Sequence, residues 1–311
     1  MNQTVKAAIV QTGSQLFDTE ATLDRMQDWV QRARNEEAGL IVFPEAFVGG
    51  YPKGHDFGAR VGSRTPEGRD WFARYFDSAI DVPGPACERM GEMARAANAW
   101  LVTGVIERAG GTLYCSVLTF APDGRLANRR RKLMPTAMER LIWGFGDGST
   151  LEATPTPFGP MSALICWENF MPLARSTFYA QQPVIHCAPT VDDRETWLSL
   201  MRTIALEGRC FVLSANQYFT RSQCPDDYNP VQGDDPSTVL INGGSCIISP
   251  LGDVLCEPVF GRDALVVAEL DLADVARGKF DFDASGHYGR PDVFELQVNQ
   301  AVQATVRTSD N

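Results

Sequence analysis

Met161-Ser-Ala-Leu-Ile-Cys166-Trp167-Glu168-Asn169 is a short run of small and apolar residues that stops at a cysteine followed by aromatic and polar ones. Gly159-Pro160 marks its start, and Asn169-Phe-Met-Pro-Leu-Ala-Arg175 reads as the entry to a helix. The pattern predicts a strand over 161–166 with Cys166 as its last residue. A strand-to-helix corner exposes the side chain at the corner and aims backbone N–H groups towards it, which favours a thiolate and any developing negative charge. The alternative is a structural cysteine packed as a small hydrophobe. Two other sites in the chain decide between these readings.

Outward from this stretch, strands and helices alternate. On the C-terminal side, helical spacing over 173–181 and 194–207 alternates with apolar runs at 184–188 and 210–215, and a strand, turn and strand follow across 245–270. On the N-terminal side, 5–11, 40–43 and 100–106 read as strands, with helices at 19–37, 66–77 and 85–97. Asp123-Gly124 between two strand-like runs signals a hairpin, so part of the sheet structure must be antiparallel. Two such halves predict two sheets packed face to face with helices on their outer sides. The polar segment 219–242 is a long loop of the kind that carries function, and 297–311 reads as a polar, frayed tail after a single domain over 1–296.

Three of the predicted strands end in a reactive residue. Leu40-Ile-Val-Phe-Pro-Glu45 ends in a carboxylate, Leu126 to Lys132 in an ammonium, and Met161 to Cys166 in a thiol. Ligands bind at the carboxyl ends of strands in α/β sheets, so these ends can converge on one pocket. Read singly, Glu45 is a turn or cap carboxylate and Lys132 the solvated end of a basic run.

The three sites together resemble the motifs of the nitrilase superfamily of carbon–nitrogen hydrolases. Phe43-Pro-Glu45-Ala-Phe47 is similar to its glutamate motif, Arg131-Lys132-Leu-x-Pro135-Thr136 to its lysine motif, and Cys166-Trp-Glu-Asn169 to its cysteine motif. The resemblance runs from about Val5 to Leu296. It implies a four-layer α-β-β-α sandwich with two mixed sheets, a catalytic triad of Glu45, Lys132 and Cys166, and Glu139 as a further glutamate beside the lysine. The N–H of Trp167 is expected to help hold the oxyanion.

Within the superfamily, three segments look most like the nitrilase branch. They are Gly50-Tyr51-Pro-Lys-Gly54, Pro135-Thr-x-x-Glu139-Arg140 with Trp143-Gly-x-Gly146-Asp-Gly-Ser149, and Cys166 through Arg175. Tyr51 is expected to support the site. So is His287, in Gly286-His-Tyr-Gly-Arg-Pro-Asp292, although an ordinary structural hydrogen bond is the alternative for it. The implied reaction takes a small-molecule nitrile to its carboxylic acid and ammonia through a covalent thioimidate and an acyl thioester, with no cofactor. An amidase of the same fold, hydration to the amide, and a catalytically silent scaffold are the other readings. The resting state of Cys166 stays open: at about 4 Å and an effective dielectric near 20, an ammonium favours the thiolate by roughly 4 kcal/mol and a carboxylate opposes it equally.

Composition narrows the partners. A net charge of -11 argues against nucleic acid and anionic membranes, and Arg129-Arg-Arg-Lys132 is too short to reverse it. Eight scattered cysteines without a CxxC pair suit a reducing compartment. Met1-Asn-Gln-Thr-Val-Lys6 has no apolar signal region and no apolar run reaches roughly 20 residues, so a cytoplasmic protein is expected. His55, His186 and His287 lack metal-ligand spacing, and the glycines of 144–149 lack the Lys-Ser/Thr of a phosphate loop, which leaves a turn beside the site. The resemblance also implies at least a homodimer, with apolar stripes at Leu173, Phe178 and Tyr179 and at Trp197, Met201 and Ile204 as candidate contacts.

Overall fold

A computed structural model describes residues 4–304 and 306. The first half contributes β1 (Thr4–Gln11), α1 (Thr19–Asn35), β2 (Leu40–Val42), α2 (Pro66–Ser78), β3 (Ile80–Asp81), α3 (Pro85–Ala97), β4 (Trp100–Ala109), β5 (Thr112–Phe120) and β6 (Leu126–Arg131). The second contributes β7 (Thr154–Thr156), β8 (Gly159–Ala163), α4 (Pro172–Tyr179), β9 (Ile185–Cys187), α5 (Thr196–Gly208), β10 (Phe211–Ser214), β11 (Tyr218–Thr220), β12 (Val239–Ile248), β13 (Val254–Phe260), β14 (Ala264–Asp271) and α6 (Ala273–Gly278). They form two seven-stranded sheets, ordered β14-β1-β2-β4-β5-β6 with β3 on β4, and β11-β12-β10-β9-β8-β7 with β13 on β12. Parallel and antiparallel pairs occur in both, so both are mixed as expected. One strand of the second half, β14, crosses to the first sheet and pairs antiparallel with β1.

The period of two along each strand builds the layers. Val5, Ala7 and Ile9 of β1 face inward and share a core with Ile185, Phe211, Leu213 and Ile247 of the other sheet. Ala8 and Val10 face outward and meet Leu23, Met26 and Val30 of α1 and Met90 and Ala94 of α3. On the opposite side Val212 and Ile248 pack against Trp197, Met201 and Ile204 of α5. This is the α-β-β-α order. It also uses up the apolar stripes offered as contact surfaces: Phe178, Tyr179, Trp197, Met201 and Ile204 are buried core, and Leu173 alone of that set is exposed.

The same alternation disposes of the basic run. Arg129 and Arg131 turn to one face of β6 and clasp the fully buried Glu107, whereas Arg130 and Lys132 turn to the other and pair with buried carboxylates. Four cations that look like a surface patch are thus internal ion pairs.

Some boundaries differ from expectation. The strand before the cysteine stops at Ala163, the edge strands β3, β7 and β11 are too short to have been legible, and β13 fills the stretch between the turn and the last strand expected across 245–270. The expected tail is docked in part: Val298 packs against the cluster around Phe178, and the Gln303 N–H donates to Asp147 at 2.8 Å. Thr305 and residues 307–311 lie outside the described residues. Among the described residues no helix is long and apolar enough to cross a membrane.

Candidate active site

Glu45 and Lys132 follow strands of the first sheet, and Cys166 follows a strand of the second. Each chain segment is held where it leaves its sheet. After β2, the Gly104 N–H donates to the Pro44 carbonyl and the Gln217 amide donates to the Glu45 carbonyl at 2.9 Å. Glycine is needed at 104, because a Cβ there would lie 2.4 Å from the Pro44 oxygen and 2.6 Å from the Glu45 Cα. After β6, Lys132 continues the ladder by donating its N–H to the Cys115 carbonyl, and its own carbonyl accepts from Gly146. The glycine segment is therefore a turn beside the site, as its sequence suggested.

Cys166 is not the end of a strand. It opens a 3-10 turn, Cys166–Phe170, separated from β8 by Leu164 and Ile165, and its φ is +50°. A non-glycine residue held there is strained by roughly 1–3 kcal/mol and persists only when its surroundings fix it. They do so from several sides. The Cys166 N–H donates to the Pro189 carbonyl, and its own carbonyl accepts from the Asn169 amide at 2.8 Å. Asn169 Oδ1 lies 2.8 Å from His186 Nε2, and His186 Nδ1 lies 2.8 Å from the Ser162 hydroxyl. Burial and the Arg130 and Arg175 cations push His186 down to about 3, so it is neutral and serves as a brace.

The side chains meet in a dry cluster. Lys132 Nζ donates to Glu45 Oε1 at 2.6 Å and to Glu139 Oε2 at 2.8 Å. Tyr51 donates its phenol proton to Glu139 Oε1 at 2.9 Å, and the Thr136 N–H donates to Oε2 at 2.6 Å. The Cys115 thiol lies 3.7 Å from Glu45 Oε1. Glu45 and Lys132 are 0% and 1% exposed, Cys166 3%. The Cys166 thiol is close enough to favour the Glu45 carboxylate, yet Glu45 Oε2 has no hydrogen-bond partner of proper geometry among the described residues. An orphaned, buried acceptor costs about 1–3 kcal/mol, which makes it a place prepared for a proton or a water.

The protonation states follow from burial and from two carboxylates against one ammonium. Burial raises the Glu45 carboxyl, Lys132 pulls it down and Glu139 pushes it up, leaving it at about 7. Burial alone would lower Lys132, but Glu45, Cys166 and Glu139 outweigh it and hold the ammonium charged. Burial and Glu45 together raise Cys166 well above the usual thiol range, against Lys132. The question left open by the sequence resolves in favour of a resting thiol, since a thiolate would add negative charge to a buried cluster that is already net negative.

Trp167, next to the nucleophile in sequence, is 41% exposed, with its indole N–H donated to Asp192 at 2.9 Å and Arg194 stacked on its ring. Its backbone N–H has no acceptor among the described residues. Glu168, the next residue, is fully buried and accepts from both ends of the site: from Arg130, from the Leu133 N–H at 2.6 Å and from the Ile165 N–H at 2.8 Å. His287 is not brought to the cluster. It is exposed, its ring contact is with Tyr288, and it has no hydrogen bond to Glu45, Lys132, Glu139 or Cys166.

A cavity of about 290 Å³ opens beside Glu139, lined by Tyr51, His55, Met138, Leu141, Trp143 and Val231 among others. The loop after β11 reaches it: Tyr228 is fully buried, stacks on His55 and donates to the Lys53 carbonyl, and the Val231 N–H donates to the Gly54 carbonyl. The long polar segment 219–242 is thus packed on the Lys53–His55 stretch beside the cavity.

Comparison with known proteins agrees with this architecture. The carbon–nitrogen hydrolase family model matches residues 6–280. An aliphatic nitrilase of Sinorhizobium fredii is 50% identical over 97% of this chain and 98% of its own. A bifunctional nitrilase/nitrile hydratase of Lupinus angustifolius is 51% identical over 95% of this chain and 86% of its own. Among solved structures, the C. elegans NitFhit protein superposes with a TM-score of 0.75 at 20% identity, covering 98% of this chain and 69% of that one. With its two mixed sheets, its outer helices and its full-length relatives, this chain belongs to the carbon–nitrogen hydrolase family.

Proposed function

We propose that the chain is a nitrilase that converts an organic nitrile to its carboxylic acid and ammonia, with Cys166 as nucleophile. The observation that carries this reading is the buried meeting of a thiol, two carboxylates and an ammonium beside an N–H without an acceptor. Relatives of about 50% identity over nearly their whole length, named for nitriles, support the substrate class.

The nitrile carbon is attacked by Cys166 Sγ as the thiol proton passes to Glu45, whose Oε2 is the unengaged acceptor. The electron pair of the C≡N bond gathers on nitrogen, where Lys132 and the Trp167 N–H stabilise it, and protonation gives the thioimidate. Water, deprotonated by Glu45, adds to that carbon. If the nitrogen leaves as ammonia, an acyl thioester remains, and a second water releases the acid and regenerates the thiol. Glu139, fixed by Lys132, Tyr51 and Thr136, holds the ammonium side of the cluster and favours loss of ammonia over loss of sulfur. Breaking the C–S bond first would give the amide, the second product class for which the lupin relative is named.

The cavity beside Glu139 is mostly apolar and suits a hydrocarbon substituent. The protein is expected to act in the cytoplasm as a homodimer or larger assembly, with the exposed Leu173 and Leu206 as surface in keeping with pairing. The test is ammonia and product analysis on matched nitriles and amides, with Cys166→Ala as control. Nitrile turnover to acid, lost in Cys166→Ala although the protein stays folded, supports the reading. Faster turnover of propionamide or benzamide than of the corresponding nitriles moves the activity to amides.

A further inference from the structure

Neither the motifs nor the mechanism above uses Thr190, yet its hydroxyl lies on the reacting sulfur. Thr190 is fully buried, and its Oγ1 donates to Cys166 Sγ at 3.2 Å. The geometry is fixed from three directions. The Thr190 N–H donates to the Ala215 carbonyl and the residue bridges to Asn216, which holds its backbone against the end of β10. Its oxygen accepts the Asp192 N–H at 2.9 Å, which occupies a lone pair and leaves the hydroxyl proton facing the sulfur. As a β-branched residue it has little rotamer freedom to lose.

We propose that Thr190 is a catalytic residue whose hydroxyl stabilises the Cys166 thiolate each time sulfur carries the charge. This rests on Cys166 being the nucleophile. Two moments require it. In the first, Glu45 takes the thiol proton and Sγ forms its bond to the nitrile carbon. In the last, the hydrated thioester collapses, the C–S bond breaks with its electron pair going to Sγ, and the proton returns from Glu45. Burial and the Glu45 charge oppose a thiolate, so a donor aimed at sulfur acts against the main barrier to forming one.

The same loop ties the oxyanion side to the nucleophile. Asp192, whose N–H fixes the Thr190 hydroxyl, accepts the indole proton of Trp167 through Oδ2 and is itself held by Arg194. A change at Thr190 therefore has a product signature as well as a rate. In the tetrahedral intermediate that carries both sulfur and nitrogen, a hydrogen bond to sulfur makes it the better leaving group and tilts the outcome towards amide. Its loss should tilt the outcome towards acid.

The experiment compares Thr190→Val and Thr190→Ala, which lack the hydroxyl, with Thr190→Ser, which keeps it. The readouts are iodoacetamide alkylation of Cys166 against pH, located by mass spectrometry, and the kcat/KM and amide-to-acid ratio on one nitrile. Without the hydroxyl, the alkylation profile should move up by about one pH unit and kcat/KM should fall about tenfold, as for loss of one charge-assisted hydrogen bond. The amide fraction should fall as well, and serine should restore all three towards wild type. An unchanged alkylation profile in the folded Val and Ala variants, or a serine variant as impaired as they are, overturns the proposal. Label or turnover that survives Cys166→Ala would instead overturn the assignment of the nucleophile.

Discussion

Replacing Glu168 with glutamine asks how much of the site's precision depends on one buried carboxylate. In the folded protein it accepts from four donors: both terminal nitrogens of Arg130, the Leu133 N–H and the Ile165 N–H. A glutamine in the same space offers one accepting oxygen, so half of these bonds are lost and Arg130, its side chain 3% exposed, is left without a counter-charge. Removing one partner of a buried pair costs about 3–5 kcal/mol. Folded domains have only about 5–15 kcal/mol in all. With a urea slope of about 3 kcal/mol/M, the unfolding midpoint should fall by roughly 1–1.7 M. Arg130→Met should lose a comparable amount by leaving the carboxylate unpaired, and the double variant should lose less than the two singles together by about 1–3 kcal/mol. Because Leu133 adjoins Lys132 and Ile165 adjoins Cys166, kcat should fall further than stability alone explains. A Glu168→Gln midpoint within about 0.2 M of wild type, or strictly additive losses in the cycle, would refute the reasoning.

Three further outcomes are expected. The reaction needs Glu45 as carboxylate and burial lifts it to about 7, so kcat/KM should rise with pH through an acid limb near 7; a limb near the ordinary carboxylate range of 4 to 5 would contradict this. Gly104→Ala places a methyl group against the backbone of residues 44–46, where a shift of about 1 Å is needed, and should lower kcat about a hundredfold as well as destabilising the fold by about 1–3 kcal/mol; near-normal turnover would show that the Glu45 loop tolerates displacement. Turnover should survive prolonged EDTA treatment, because the activation described uses Lys132 and a backbone N–H; loss of activity that added metal restores would sink the mechanism.

What the sequence disclosed and what it hid divide along one line. Lys132, at the end of a basic run, and Glu139 followed from the lysine motif, while Glu45 and Cys166 were legible because each follows an apolar run, a local pattern. The core faces of β1, α1 and α5 were legible for the same reason, through their periodicity. What was hidden depends on partners far along the chain: Arg130 and Glu168 are 38 residues apart, His186 and Asn169 are 17 apart, and Gln217 reaches Glu45 across 172. A histidine in a buried strand and a threonine after one carry no local mark of the residues they will touch. The elbow at Cys166 was hidden for another reason. Its positive φ is imposed by hydrogen bonds from Asn169 and to Pro189, and cysteine has no preference for that conformation that a reader of the sequence could use. His287 shows the converse, since a segment shared with a branch of the family need not touch the reacting groups in a single chain.

The pairing of β14 with β1 has a consequence for biosynthesis. Residues 4–11 leave the ribosome well before their antiparallel partners at 264–271. At about 5–20 residues per second the edge of β1 waits roughly 15 to 50 s for its neighbour. During that interval the nascent chain exposes an unpaired, apolar strand edge of the kind that recruits other chains. The protein is therefore born with its two halves committed in sequence but unable to close separately, and holdase chaperones that cover Thr4–Gln11 until Asp271 has emerged should raise its yield.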